Sequence, residues 1–137
     1  MKKMMNTAII YFIFAMIGGV FYREFTKFYE FTGTTVLKVL HTHLFILGMF
    51  LFLFLALVCK VTELEKEKLF QKFFILYNIA LPFMIIMLLI RGVIQVMNIQ
   101  VSSASNGMIS GFAGISHILM FISLLLLLIS LKRTLSE

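Results

Sequence analysis

The sequence predicts an all-α, integral membrane four-helix bundle, with four transmembrane helices and both termini in the cytoplasm. Three observations carry this. Apolar residues make up 61% of the 137 positions, against roughly 45–50% in a soluble domain. They gather into four runs, each near the roughly 20 residues that cross the hydrocarbon as a helix. The chain has no Asp, and none of its six Glu falls inside a run. One membrane domain, residues 1–137, fits this pattern, with no repeat and no second domain.

The first run covers residues 7–22. Lys2 and Lys3 precede it, as in a signal peptide, but no small-residue cleavage site follows. Phe21-Tyr22-Arg23 comes directly after, so the run reads as a retained helix. The second covers residues 35–59 and the third residues 73–94. Pro82 inside the third leaves the Asn78 carbonyl without its helical donor, which predicts a kink. The fourth covers residues 111–131.

The formal charge of +6 sets orientation in a membrane protein and does not call for nucleic acid. Lys2, Lys3, Lys60, Lys66, Lys68, Lys72, Lys132 and Arg133 fall on one side. Arg23, Lys27, Lys38 and Arg91 fall on the other, and eight against four places both termini inside. The external segment Arg23 to Gly33 is aromatic and suits the interface. The link Glu63 to Lys68 alternates acids and bases, as a solvated turn with local ion pairs does. Residues 95–110 read as the second external loop, with Ser102 to Gly107 as a turn.

The chain is organised around Leu40-His41-Thr42-His43-Leu44. Ionisable groups at membrane depth are costly and are functional candidates by default. His41 and His43 lie about two turns into the second helix from its outer end, and His117 about two turns into the fourth from the same side. All three are therefore expected at similar depth. At about 100° per residue, positions two apart diverge by about 200°. His41 and His43 face opposite sides and cannot share one ion. His41 shares its face with Gly48, which leaves a recess for a planar group or a close helix. His43 shares its face with Leu47, Phe50 and Phe54.

No carboxylate within a span can complete a zinc or di-iron site. A neutral imidazole is a good axial ligand to haem. Arg23, Lys38 and Arg91 stand at outer helix ends, where they meet haem propionates or snorkel to the interface. The alternative role for the histidines is interhelical hydrogen bonding. Met49, Met84, Met87 and Met120 suit Cu(I) as thioethers but read first as core filler. Cys59 lies far from the histidines and reads as inert. Tyr77 and Asn78 line a polar cavity or bind the backbone freed by Pro82. Gly18 and Gly19 permit close helix approach.

His41-Thr42-His43-Leu44 with Gly48 following resembles the HxH helix of the haem-copper oxidase and nitric oxide reductase catalytic subunits. There the two histidines ligate two different haems. The ligand-bearing helices of that superfamily are each the second of a four-helix repeat, entered from the outer side, as the second helix is here. The resemblance implies a haem b ligated by His41 and His43, with Arg91 near the propionates; His117, at similar expected depth, is a further candidate ligand. The copper-site histidines of the oxidases are absent, so the resemblance does not extend to reduction of oxygen or nitric oxide. The run Gly19 to Lys27, with His41-Thr42-His43, also resembles a family of short four-span bacterial membrane proteins of unknown function. That implies a multi-pass protein of the bacterial cytoplasmic membrane.

The leading reading is a bis-His haem-b protein in electron transfer, redox or gas sensing, or haem handling. Four helices are a third of the oxidase-like bundle, so a homotrimer is the favoured oligomer. Each second helix would offer His41 to one neighbour and His43 to the other. A within-chain alternative pairs His117 with His43 or His41. The competing readings are a copper or zinc site using the histidines with Met120 or Met49, and a non-catalytic helper of a respiratory complex.

Overall fold

A computed structural model describes residues 1–136. It contains four helices, each long and apolar enough to cross a membrane: α1 (Lys2–Phe28), α2 (Leu37–Val61), α3 (Lys68–Val96) and α4 (Ser103–Leu135). They run alternately up and down. At one end the Met1 amino group pairs with Glu65, and Arg133 lies 3.6 Å from Glu67. At the other, the Thr35 hydroxyl donates to the Gly92 carbonyl at 3.2 Å, and the Val36 N–H to Gln95 Oε1 at 2.8 Å. These are the terminal and distal ends. Helix α1 packs along α2 and α3 along α4, while α2 and α3 join the two pairs. Helix α4 therefore stands at the edge, on α3 rather than on α1 or α2.

Three helices outrun the spans expected from apolar runs, because helical hydrogen bonding continues into polar flanks until a cap stops it. Helices α1 and α3 end in the same device. The Phe31 N–H reaches the Thr26 carbonyl at 2.9 Å and the Glu30 N–H reaches Lys27 at 3.1 Å. Ile99 and Asn98 repeat this with Ile94 and Gln95. Glu30 and Asn98 supply the left-handed residue, at φ of 48° and 51°. Ser102 to Gly107, read from sequence as a turn, is instead the start of α4. Ser102 Oγ accepts the Ser105 N–H at 3.1 Å, since a serine suits an N-cap as well as a turn. Glu67 likewise caps α3, accepting from Leu69 and Phe70, after a 3-10 turn at Leu64–Lys66. Helix α3 runs unbroken through Pro82.

Packing follows from which residues each helix buries. Helix α4 buries Ser116, Met120, Ser123, Leu127 and Ser130. The steps alternate between four and three, which is the heptad seam of a left-handed pair. Each serine hydroxyl donates to the carbonyl three residues back, at 2.7 to 2.9 Å. No hydroxyl is left bare, and the small side chains let α3 come close. Helix α1 buries Met4, Ala8, Tyr11, Ala15 and Gly18 with the same alternation.

Helix α2 departs from it. Leu40, Leu44, Gly48 and Phe52 are buried at three successive steps of four. In a regular helix each such step turns the stripe by about 40°, and three turn it by about 120°. A π-helical turn over Leu44–Phe50 absorbs that drift and keeps the stripe facing α1.

Glycines set the spacing. A Cβ on Gly48 would stand 2.6 Å from the Tyr11 Cβ, and one on Gly92 would stand 3.1 Å from the Leu37 backbone nitrogen. A Cβ on Gly111 would meet nothing within 4 Å. Gly48→Ala and Gly92→Ala should each cost roughly 1–3 kcal/mol. Gly111→Ala should instead stabilise by up to about 1 kcal/mol. Thermal unfolding of the detergent-solubilised variants, followed by circular dichroism, checks all three.

Candidate functional site

His41 and His43 sit in the distal third of α2. His41 faces α1, and a Cβ on Gly19 would touch its ring at 3.7 Å. Phe45 meets the ring edge-on at 6.4 Å. The His41 Nδ1 is buried with no hydrogen-bond partner, alone in this among side-chain polar atoms of the described residues. His43, about 200° round the helix, is half-buried, and its Nδ1–H donates to the Val39 carbonyl at 2.8 Å. A carbonyl can only accept, so the proton is on Nδ1. The neutral ring then keeps its lone pair on Nε2.

His117 follows the buried Ser116 on α4 and is exposed on the outer side of the bundle. Its Nδ1–H donates to the Ala113 carbonyl at 2.8 Å, which again leaves the lone pair on Nε2. The distal contacts fix the depth of all three. Gly92 abuts Leu37, and Arg91 of the neighbouring position reaches Ser110. Counted at 1.5 Å per residue from the level of Gly92, His41, His43 and His117 lie about 6, 9 and 12 Å deeper, all in the distal half of the bundle. One chain does not bring them to a point, because α4 packs on α3 and not on α2. Among the described residues, no group of three or more His, Cys, Asp or Glu is placed to hold a metal ion.

The other expected residues divide between two places. Arg91 Nη2 donates to Ser110 Oγ at 2.8 Å. Ser110 is seven residues before His117, two turns up the same stripe of α4, so Arg91 and His117 share one side of the bundle. Arg23 is exposed beside Glu24 at 3.7 Å, and Lys38 is exposed at the start of α2. The recess at Gly48 is occupied by Tyr11. Of the two uses of that recess, a planar group or a close helix, this chain's own α1 supplies the second. Met84, Met87 and Met120 are core residues and Met49 is half-buried.

Mid-membrane polar contacts extend the site in a way single positions did not signal. The Tyr77 hydroxyl donates to the Leu47 carbonyl at 2.7 Å, inside the π turn of α2. The Tyr11 hydroxyl donates to Asn78 Oδ1 at 3.0 Å, and Asn78 Nδ2 to the Phe74 carbonyl at 2.8 Å. Phe52 lies between the two tyrosine rings, 5.7 Å from each. Tyr77 thus binds backbone, but that of the neighbouring helix rather than the Asn78 carbonyl freed by Pro82. A π turn disturbs the regular ladder, and a donor from α3 is aimed at that disturbance.

These features define a class: an all-α chain whose four helices are long enough and apolar enough to cross a membrane, with free imidazole lone pairs on α2 and α4. The chain belongs to the family described as a protein of unknown function (DUF2871), which it matches over residues 1–134. No curated protein and no solved structure matches it.

Tyr77→Phe removes one interhelical hydrogen bond and should cost about 0.6 kcal/mol, the average for such bonds between membrane helices. Hydrogen exchange should quicken at the amides of residues 47–52 and not along α4.

Proposed function

We propose that the chain is a haem-b protein of the bacterial cytoplasmic membrane, serving electron transfer, redox or gas sensing, or haem handling. The haem lies where copies of the chain meet, ligated by His43 of one copy and His117 of the next. One observation carries this reading. Two imidazoles in the distal half of the bundle, about 3 Å apart in depth, each tie Nδ1–H to a carbonyl of their own helix and keep Nε2 free. A hydrogen bond at the far nitrogen is what orients a ligating imidazole and sets its tautomer. Arg91, two turns above His117, is placed for a propionate.

The residues therefore fit the group between copies and not within one. His41 packs against Gly18 and Gly19, and its buried Nδ1 lacks the carbonyl hydrogen bond that orients the rings of His43 and His117. That placement favours a His43–His117 pair over a ring in which His41 and His43 serve two neighbours. The likeness of the HxH helix to the oxidases supports an iron ligand on α2, and a closed ring of three copies would rebuild their threefold bundle. Haem held by two imidazoles would supply one-electron redox chemistry rather than ligand activation.

Optical spectra of detergent-purified protein, oxidised and dithionite-reduced, test this. Sharp reduced α and β bands should be lost in His43→Ala and in His117→Ala and kept in His41→Ala. Co-expressing the first two variants should restore part of the signal, because mixed oligomers hold some complete sites. Loss in His41→Ala alone would put the haem at the α1–α2 contact. A colourless protein from haem-rich cells would remove the reading, and stoichiometric copper or zinc without iron would replace it.

A further inference from the structure

A groove runs between α1 and α3 on the side away from α4. Its volume is about 660 Å³, and Leu40 and Leu44 of α2 form its floor. Along α1 it extends from Thr7 to Phe21, a rise of about 21 Å, more than one leaflet's hydrocarbon depth of roughly 15 Å. The wall presents carbon. Ile10, Phe14 and Ile17 line the groove yet are 52%, 55% and 58% exposed. The polar atoms along it are already spent: Thr7 donates to the Lys3 carbonyl, and Tyr11 and Asn78 bond each other.

One turn beyond Thr7 and Asn78 the character changes. A second hollow of about 480 Å³ opens at the terminal end, lined by Lys2, Lys3 and Gln71 among others. The Lys3 ammonium stands 3.8 Å over the Phe74 ring, and these two residues lie one helical turn from Thr7 and Asn78 of the groove. Glu65 is the acidic residue of this hollow, and it is paired with the Met1 amino group. Among the described residues, neither Lys2 nor Lys3 pairs with a carboxylate. The site is thus apolar for the length of a leaflet and cationic at the end that the Lys and Arg count puts in the cytoplasm.

We infer that this groove is a phospholipid site. One acyl chain of an anionic lipid lies between α1 and α3, and its phosphate rests on Lys2 and Lys3. A neutral chain alone would leave the lysines without a counterion, and a free phosphate would leave the groove unfilled. The charge lies about one helical turn beyond the end of the groove, and an anionic phospholipid meets both.

The chain has no tryptophan, so Phe14→Trp places a single reporter in the groove. Ile9→Trp, an exposed position of α1 outside the groove, is the control. Each variant is reconstituted in phosphatidylcholine vesicles carrying a minor fraction of bromine-labelled phosphatidylglycerol or bromine-labelled phosphatidylcholine. Labelled phosphatidylglycerol should quench Phe14→Trp more strongly than labelled phosphatidylcholine, with no difference at Ile9→Trp. Each lysine should contribute about fivefold to the preference, and Lys2→Gln with Lys3→Gln should abolish it. Equal quenching by the two lipids, or a preference that survives loss of both lysines, would overturn the proposal. Quenching by neither would also overturn it, since a second copy would then cover the groove.

Discussion

The structure depends on how closely α2 and its neighbours approach one another. Gly18 lies under Leu40, Gly48 under Tyr11, and Gly92 under Leu37. In lipid, helices gain little from hiding apolar surface, so close van der Waals packing and interhelical hydrogen bonds decide which of them pair. The glycines supply the first. Thr35, Tyr11 and Tyr77 supply the second, each bonding a different helix from its own segment. Helices α3 and α4 meet by another route, a heptad of serines whose hydroxyls are satisfied within α4. The two pairs are thus built on different small-residue chemistry and joined at α2.

The π turn is where these constraints meet. The buried residues of α2 come at steps of four through its middle, which no regular helix can keep on one face. Widening the turn at Leu44–Phe50 holds Leu40, Gly48 and Phe52 against α1, at the cost of a disturbed backbone ladder. Tyr77 sits at that disturbance. The turn begins one residue after His43, so the backbone leaving the histidine pair is held from α3, while Gly18 and Gly19 hold His41 from α1.

The three histidines illustrate how lipid selects among environments for one side chain. His41 hides Nδ1 without a partner, while His43 and His117 bond their own helix and keep a lone pair in reserve. An imidazole nitrogen free in hydrocarbon is not a resting place for a polar group. Two of them stand on separate outer faces of the bundle, each with Nδ1–H tied to its own helix. The groove on the other side of the bundle has the opposite character: its polar atoms are paired within the chain, and its demand is for carbon and, at one end, for an anion.

Much of the architecture was legible in the sequence. Four apolar runs, an absence of carboxylates inside them and a charge bias between the loops are local properties, and hydrocarbon responds to local composition. The opposite directions of His41 and His43 follow from helix geometry alone, and counting along the spans puts all three histidines towards the same end of the bundle. The ends of the helices were less legible, since Ser102 and Glu67 serve equally in a turn and a cap. The serine heptad of α4 was present as a spacing but competes with many other periodicities. The π turn, the filling of Gly48 by Tyr11, the reach of Tyr77 to Leu47 and the separation of α4 from α2 were decided only by the tertiary structure. Each depends on which helix lies against which, and pairing between membrane helices is set by matching of shape and hydrogen bonds across residues far apart in the chain, not by the hydrophobicity of either partner.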